Sequence, residues 1–117
     1  MLGFFVRDPR AEKVYVEMGL PRSLLLGTLA HELAHAWQIE AAPTLNDQLV
    51  REGFAEWVSH HVLVAAGYQH AAARATRRDD IYGRGLRHFL NIERRHGHEA
   101  VLARARGGLS RPIQTLA

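Results

Sequence analysis

Two histidines four residues apart constrain this chain more than any other feature of its sequence. His31 and His35 enclose Glu32 in an HExxH pattern. On a helix, residues i and i+4 lie above one another on the same face, so both imidazoles can bind one metal ion. A carboxylate next to them can serve as general base for a metal-activated water. This combination of residues is typical of zinc peptidases.

The residues around the motif have the spacing of a helix. The segment from Ser23 to Glu40 repeats apolar side chains at helical intervals, namely Leu24, Leu25, Leu29, Leu33, Ala36 and Trp37. Pro21 and Ser23 favour a helix start, and Ala42-Pro43 favours its end. The histidine pair is therefore predicted to lie in mid-helix. The alternative is that two half-buried histidines share this helix and bind no metal.

A third metal ligand is expected from a second helical pattern, which runs from about residue 46 to residue 66 and is ended by Gly67. Glu52 and Glu56 lie one turn apart in it, so their carboxylates point the same way. The connection between the two helices is short, which predicts antiparallel neighbours. We assign Glu52 to the metal, and Glu56 to the second N–H of a ligating histidine. One alternative is that Glu56 binds the metal in place of Glu52. The other is that both carboxylates are solvated charges on the helix surface.

Other polar side chains are candidates for supporting roles. Tyr82 is the first candidate for stabilising an oxyanion, and His88 is the alternative donor. His60 continues the stripe of Glu52 and Glu56 and could support a ligating histidine. The simpler interpretation is a packed tyrosine and surface histidines. No role is predicted for His70, His96 and His98.

The size and composition of the chain limit the classes of protein it can belong to. Its 117 residues suffice for one domain, and 47% hydrophobic residues suffice for a modest core. The absence of cysteine excludes disulfides and thiolate metal ligands. No stretch approaches the roughly 18 apolar residues of a membrane span. The first residues lack the features of a signal peptide, so we expect a cytoplasmic protein, either compact or part of a longer chain.

The charge distribution raises the possibility of nucleic-acid binding. The net charge is +3, and most of the 15 basic residues lie from Arg74 onward. A basic half can bind nucleic acid. These arginines are nevertheless scattered over helical positions with few aromatic residues among them, so we interpret them mainly as a solvated face.

The remaining segments predict an α+β fold that is mainly α-helical. Residues 3–7 and 12–18 read as two strands of a hairpin, whose edge could pair with an extended substrate or simply cover the helices. Helices are predicted over 81–96 and 99–106, and the Ala- and Arg-rich stretch from Gly67 to Arg78 is either a helix or a connection. Gly83 and Gly85 weaken the third helix by about 1 kcal/mol each. Because such a cost needs a compensating reason, we expect that another backbone approaches these glycines closely or that they leave room beside the site.

Three segments together resemble a known family. HELAHAW, REGFAEWVSHH and IYGRGLRHF, preceded by Val14–Arg22, are similar to the peptidase domain of the plant LIM-containing, ubiquitin-activated organ-size regulators and its bacterial relatives. The resemblance spans residues 12–106. It implies a reduced gluzincin-like (zincin) core of a hairpin followed by three to four helices. It also implies a zinc endopeptidase with His31 and His35 as ligands, Glu52 as third ligand and Glu32 as base.

The chain departs from the plant proteins in two respects. It has no cysteines for a LIM module, and no ubiquitin-interacting helices precede the domain, so ubiquitin activation is not carried over. The predicted function is hydrolysis of a protein or peptide substrate with Zn²⁺ as cofactor, with no membrane association and with a partner or an additional N-terminal domain possible. The alternatives are a non-catalytic zinc-bound regulatory or binding module and an Arg-rich nucleic-acid-binding domain.

Overall fold

The computed structural model describes residues 21–107, which form five helices. In chain order these are α1 (Arg22–Ala41), α2 (Gln48–Ala65), α3 (Gln69–Thr76), α4 (Ile81–His96) and α5 (His98–Ala105). Three of the predicted helices, α1, α2 and α5, are recovered to within two residues at either end, and α4 has the predicted bounds. The stretch from Gly67 to Arg78, for which a helix and a connection were both possible, contains the short helix α3.

The predicted α+β class is wrong for the part of the chain that the structure describes. Residues 21–107 contain five helices, rather than three to four, and no strand. The apolar residues from Ser23 onward recur with helical period, and the connections are too short to hold further elements. The hairpin predicted over residues 3–18 lies outside the described residues.

Side-chain caps and glycines set the ends of the helices. The Asp47 carboxylate accepts a hydrogen bond from the Val50 N–H at the start of α2, and Asp80 accepts one from the Gly83 N–H at the start of α4. Both aspartates thereby satisfy backbone donors that have no partner within the helix. Gly97, with φ of 88°, ends α4 in a conformation that other residues rarely adopt.

Helix α2 is the centre of the bundle and packs against each of the other four helices. The core lies on the inner sides of α1, α2, α4 and α5, and its buried members include Val50, Phe54, Phe89 and Val101. Phe54 contacts Trp37, Trp57 and Phe89 in a chain of rings with centroids 5.2, 5.8 and 6.0 Å away. This packing fixes α2, which carries three of the candidate site residues, Glu52, Glu56 and His60.

The helices α2 and α4 approach each other most closely at two glycines. A Cβ placed on Gly85 would lie 2.5 Å from the Cα of Gly53 and 2.9 Å from the carbonyl oxygen of Leu49. Both residues therefore need the absence of a side chain. The expected close approach of another backbone at Gly85 is confirmed. Because Glu52 directly precedes Gly53, this crossing also positions a candidate metal ligand.

None of the helices within residues 21–107 combines the length and the apolar character that crossing a bilayer requires.

The cap of α4 gives a prediction for the pH dependence of stability. The Gly83 N–H and the Arg78 guanidinium hold the pKa of Asp80 below its usual range. A lowered folded-state pKa stabilises the protein above the unfolded pKa of about 3.9, and this contribution is lost as the pH falls through the folded value. We expect Asp80→Ala to lower the free energy of unfolding in urea at pH 7, and to do so less at pH 3.

The neighbouring Asp79→Ala is the matched control, because the Asp79 side chain accepts no cap hydrogen bond in the described part of the chain. It should leave stability nearly unchanged at both pH values. An equal loss for Asp80→Ala at pH 7 and pH 3 would contradict the charged cap.

Candidate functional site

Three side-chain atoms converge between α1 and α2. The Nε2 atoms of His31 and His35 lie 3.1 Å apart, and the Oε1 atom of Glu52 lies 3.0 Å from the first and 3.1 Å from the second. The side chains are only 15, 15 and 17% exposed. His31 contacts both Glu52 and Glu56, whereas His35, one turn later, contacts Glu52, as expected for antiparallel helices.

The other ring nitrogen of each histidine has its own acceptor. The Nδ1–H of His31 donates to Glu56 Oε2 at 2.7 Å, and the Nδ1–H of His35 donates to Gln38 Oε1 at 3.0 Å. A neutral imidazole carries one proton, so these bonds leave both Nε2 atoms with free lone pairs. Two nitrogen lone pairs and a carboxylate oxygen then face one another. Such a set is repulsive unless a proton or a metal ion lies among the three atoms.

The chemistry of these donors fits zinc. Zinc is commonly held by neutral histidine nitrogens and a carboxylate at about 2.0–2.2 Å, and its open catalytic sites use three protein ligands, often two histidines and one glutamate. The three distances among the two Nε2 atoms and Glu52 Oε1 are 3.0–3.1 Å. Ligand atoms around a tetrahedral zinc ion lie roughly 3.4 Å apart, so the observed distances differ from this value by a few tenths of an ångström. Bonds from both Nδ1–H groups to a carboxylate and an amide oxygen are the usual support of ligating histidines.

The site is also strongly negative. Burial lowers the pKa of His31, but the hydrogen bond and the charge of Glu56, together with the charge of Glu52, outweigh burial and raise that pKa above its usual range. The same two carboxylates that stabilise a protonated imidazole would stabilise a divalent cation. The electrostatics of the site therefore favour a positive charge at this position.

Gln38 is a site residue that sequence reasoning missed. It is a buried polar residue on α1, three positions after His35, and its amide oxygen accepts the His35 N–H. The i to i+3 spacing on a helix that already carried the motif was the available signal. Its Nε2 atom is buried without a hydrogen-bond partner in the described residues, so Gln38 is held there at some energetic cost.

Glu32 and Tyr82, the two residues predicted to be catalytic, both lie within the described helices, Glu32 on α1 and Tyr82 on α4. Glu32 is half-buried beside His31 and has no hydrogen bond or ion pair within residues 21–107. The Tyr82 ring lies 6.1 Å from the His31 ring, centroid to centroid, and the Arg78 guanidinium lies 4.9 Å from the Tyr82 ring. Within residues 21–107 the Glu32 carboxylate thus has no partner, and the Tyr82 ring is a neighbour of His31.

The structure does not connect the other two predicted histidines to this site. His60 makes a ring contact with His61, and its Nδ1 atom is buried with no partner in the described part of the chain. Burial, and then the charge of His61, lower the pKa of His60. The Nε2 atom of His88 accepts a hydrogen bond from Arg104 on α5. Neither histidine is hydrogen-bonded to a candidate ligand.

A groove of about 550 Å³ opens beside the three converging atoms, between α1, α2 and α3. His31 and Glu56 line it together with apolar side chains, among them Leu24 and Leu63, and with the two arginines Arg74 and Arg78. His31, a candidate metal ligand, is therefore reachable from a cavity in the size range of small-molecule and peptide sites.

Comparison with protein-family models, curated proteins and solved structures gave no match to this chain. The resemblance to the plant peptidase domain and its bacterial relatives therefore rests on the short motifs around His31, Glu52 and Tyr82, and stays a prediction.

Proposed function

We propose that this chain is a zinc-dependent peptidase in which His31, His35 and Glu52 hold the metal and Glu32 is the general base. One observation carries the proposal: the Nε2 atoms of both histidines, each with its Nδ1–H already bonded, meet the Glu52 carboxylate within 3.1 Å. A cation relieves the repulsion among these atoms, and the residue next to His31 is a carboxylate that has no partner within residues 21–107 and is suited to proton transfer.

The ion would supply the electrophile, lowering the pKa of a water in its open position and polarising the scissile carbonyl. Glu32 accepts the proton of the attacking water at its carboxylate and passes it to the leaving amine. Glu56 and Gln38 hold the two imidazoles so that both Nε2 atoms face the ion. Tyr82, beside His31, is the candidate donor to the developing oxyanion.

The groove beside His31 suggests where the substrate lies. Its apolar wall, which includes Leu24 and Leu63, suits side chains of an unfolded peptide, and Arg74 adds positive charge. The predicted strand at residues 12–18, whose edge was expected to pair with the substrate, lies outside the described residues. A protein or peptide substrate and a cytoplasmic location remain part of the proposal.

Removal and restoration of metal test this proposal. The full chain is incubated with a fluorescently labelled unfolded protein before and after treatment with a chelator. We expect cleavage to stop on chelation and to return with about one equivalent of Zn²⁺ but not with Mg²⁺, because the donor set is nitrogen-rich. Cleavage that survives chelation would contradict the proposal.

A non-catalytic zinc module is the second candidate, since the same ligands would serve a structural ion. The unpaired Glu32 and the groove beside His31 favour the peptidase, because a structural site needs neither. A zinc-loaded chain that leaves every labelled protein intact would support the module instead.

Nucleic-acid binding has no comparable support. Many arginines of the second half are engaged within the chain: Arg78 pairs with Asp80, and Arg87 donates to the carbonyl oxygens of Thr76 and Arg78. These bonds use the groups that would otherwise contact phosphates.

A further inference from the structure

A second cluster of metal-binding side chains lies where α2, α4 and α5 meet. It consists of His61, Glu93 and His98, whose ligand atoms all lie within 4.8 Å of one another. We propose that this cluster is a second, weaker site for a divalent transition-metal ion such as Zn²⁺, distinct from the centre at His31. Sequence reasoning gave His98 no role.

Glu93 is the hub of the cluster. Its Oε1 atom lies 3.0 Å from His61 Nε2, and its Oε2 atom lies 2.6 Å from His98 Nε2. His61 comes from α2, Glu93 from α4 and His98 from the first position of α5. One carboxylate thus brings together two imidazoles from different helices, and two histidines with one carboxylate form a common zinc donor set.

Trp57 holds the cluster in place. Its indole N–H donates to Glu93 Oε1 at 3.0 Å, and its ring centroid lies 4.6 Å from that of His61 and 5.8 Å from that of His98. Ligating carboxylates are typically fixed by such a donor. Hydrogen bonds from His61, Trp57 and His98 hold the pKa of Glu93 below its usual range despite burial.

Metal binding would replace the present hydrogen bonds from the two imidazoles to Glu93. Each Nε2 must then be free of its proton. In a neutral imidazole this proton moves to Nδ1, and in an imidazolium it leaves to solvent while the Nδ1–H stays. The side chains of His61 and His98 are 43 and 68% exposed, so water can accept the Nδ1–H bonds. His98 must also retreat slightly from Glu93, and its exposed position at the start of α5 permits this.

The donor atoms determine which ions the cluster can bind, and the exposure of the side chains affects how tightly an ion is held. Imidazole and carboxylate donors select Zn²⁺, Cu²⁺ or Ni²⁺ over Mg²⁺ and Ca²⁺. Two of the three ligands are much more exposed than those at His31, and the imidazoles must first release Glu93. The second ion should therefore bind more weakly than the first and should strengthen the attachment of α5 to α2 and α4.

Zinc titration of the full chain tests this inference. Metal-free protein is titrated with Zn²⁺ against a chromophoric competitor, and the equivalents bound are counted. We expect two equivalents in the wild type, with the weaker lost or weakened at least about 100-fold in His98→Ala, since losing a ligand costs more than losing its support. His70→Ala, which removes a histidine outside both clusters, should keep both.

Glu52→Ala separates this inference from the proposed function. It should lose the tighter equivalent and keep the weaker one, whether or not the protein is a peptidase. The inference is overturned if no zinc equivalent bound by the wild type is lost or weakened in His98→Ala and in Glu93→Gln.

Discussion

Glu32→Gln is expected to abolish nearly all peptide hydrolysis while leaving zinc binding intact. The glutamine keeps the size of the side chain but cannot accept a proton, and loss of a general base typically costs about 10²–10⁴-fold in rate. The ligands His31, His35 and Glu52 are untouched. The measurement is the turnover of a labelled unfolded protein by variant and wild type loaded with equal zinc.

Glu40→Gln is the matched control, because Glu40 is an exposed carboxylate on the same helix with no partner within residues 21–107. It should cleave at the rate of the wild type. Undiminished turnover in Glu32→Gln would remove Glu32 from the mechanism.

Gly85→Ala should destabilise the fold, although alanine is the better helix former. Its Cβ would meet the backbone of Gly53 at 2.5 Å, and backbone cannot rotate away as a side chain can. The helices α2 and α4 must separate, and overpacking of this kind costs about 1–3 kcal/mol. Because Glu52 adjoins Gly53, we also expect weaker zinc binding. The free energy of unfolding in urea and the zinc affinity are the two measurements.

Gly27→Ala is the control for helix propensity. Gly27 lies inside α1, and a Cβ there would meet only the side chains of Ser59, at 3.1 Å, and Leu63, at 3.5 Å, which can adjust. The gain in helix propensity of about 1 kcal/mol should largely offset this contact. Equal stabilities of Gly85→Ala and Gly27→Ala would show that the glycine crossing is not tight.

Local signals explain why several elements could be predicted from the sequence. Asp80 and Gly97 mark the two ends of α4, and the predicted bounds of 81–96 are confirmed. The spacing of His31 and His35 places both on one helix face, and the short connection after α1 brings Glu52 to them. These features depend on neighbours along the chain or on a single turn, which periodicity and capping describe well.

The features that escaped prediction depend on tertiary contacts. Glu93 joins His61 and His98 only because three helices meet, and no spacing in the sequence encodes that meeting. The contact of Gly53 with Gly85 was expected only as an unspecified close approach. The α+β class is wrong for residues 21–107, and the strands on which it depended were predicted only in residues 3–18, which lie outside the described part of the chain.

The central claim is that a zinc ion is held by His31, His35 and Glu52, and its most direct test is the zinc content of three purified proteins. All carry His98→Ala, so that the first centre alone is counted, and two add either Glu52→Ala or Glu56→Ala. After dialysis, we expect about one zinc per chain in the parent, none with Glu52→Ala, and retention with Glu56→Ala at about 10–100-fold lower affinity. A folded parent that takes up no zinc, or zinc content unaffected by Glu52→Ala, would contradict the assignment.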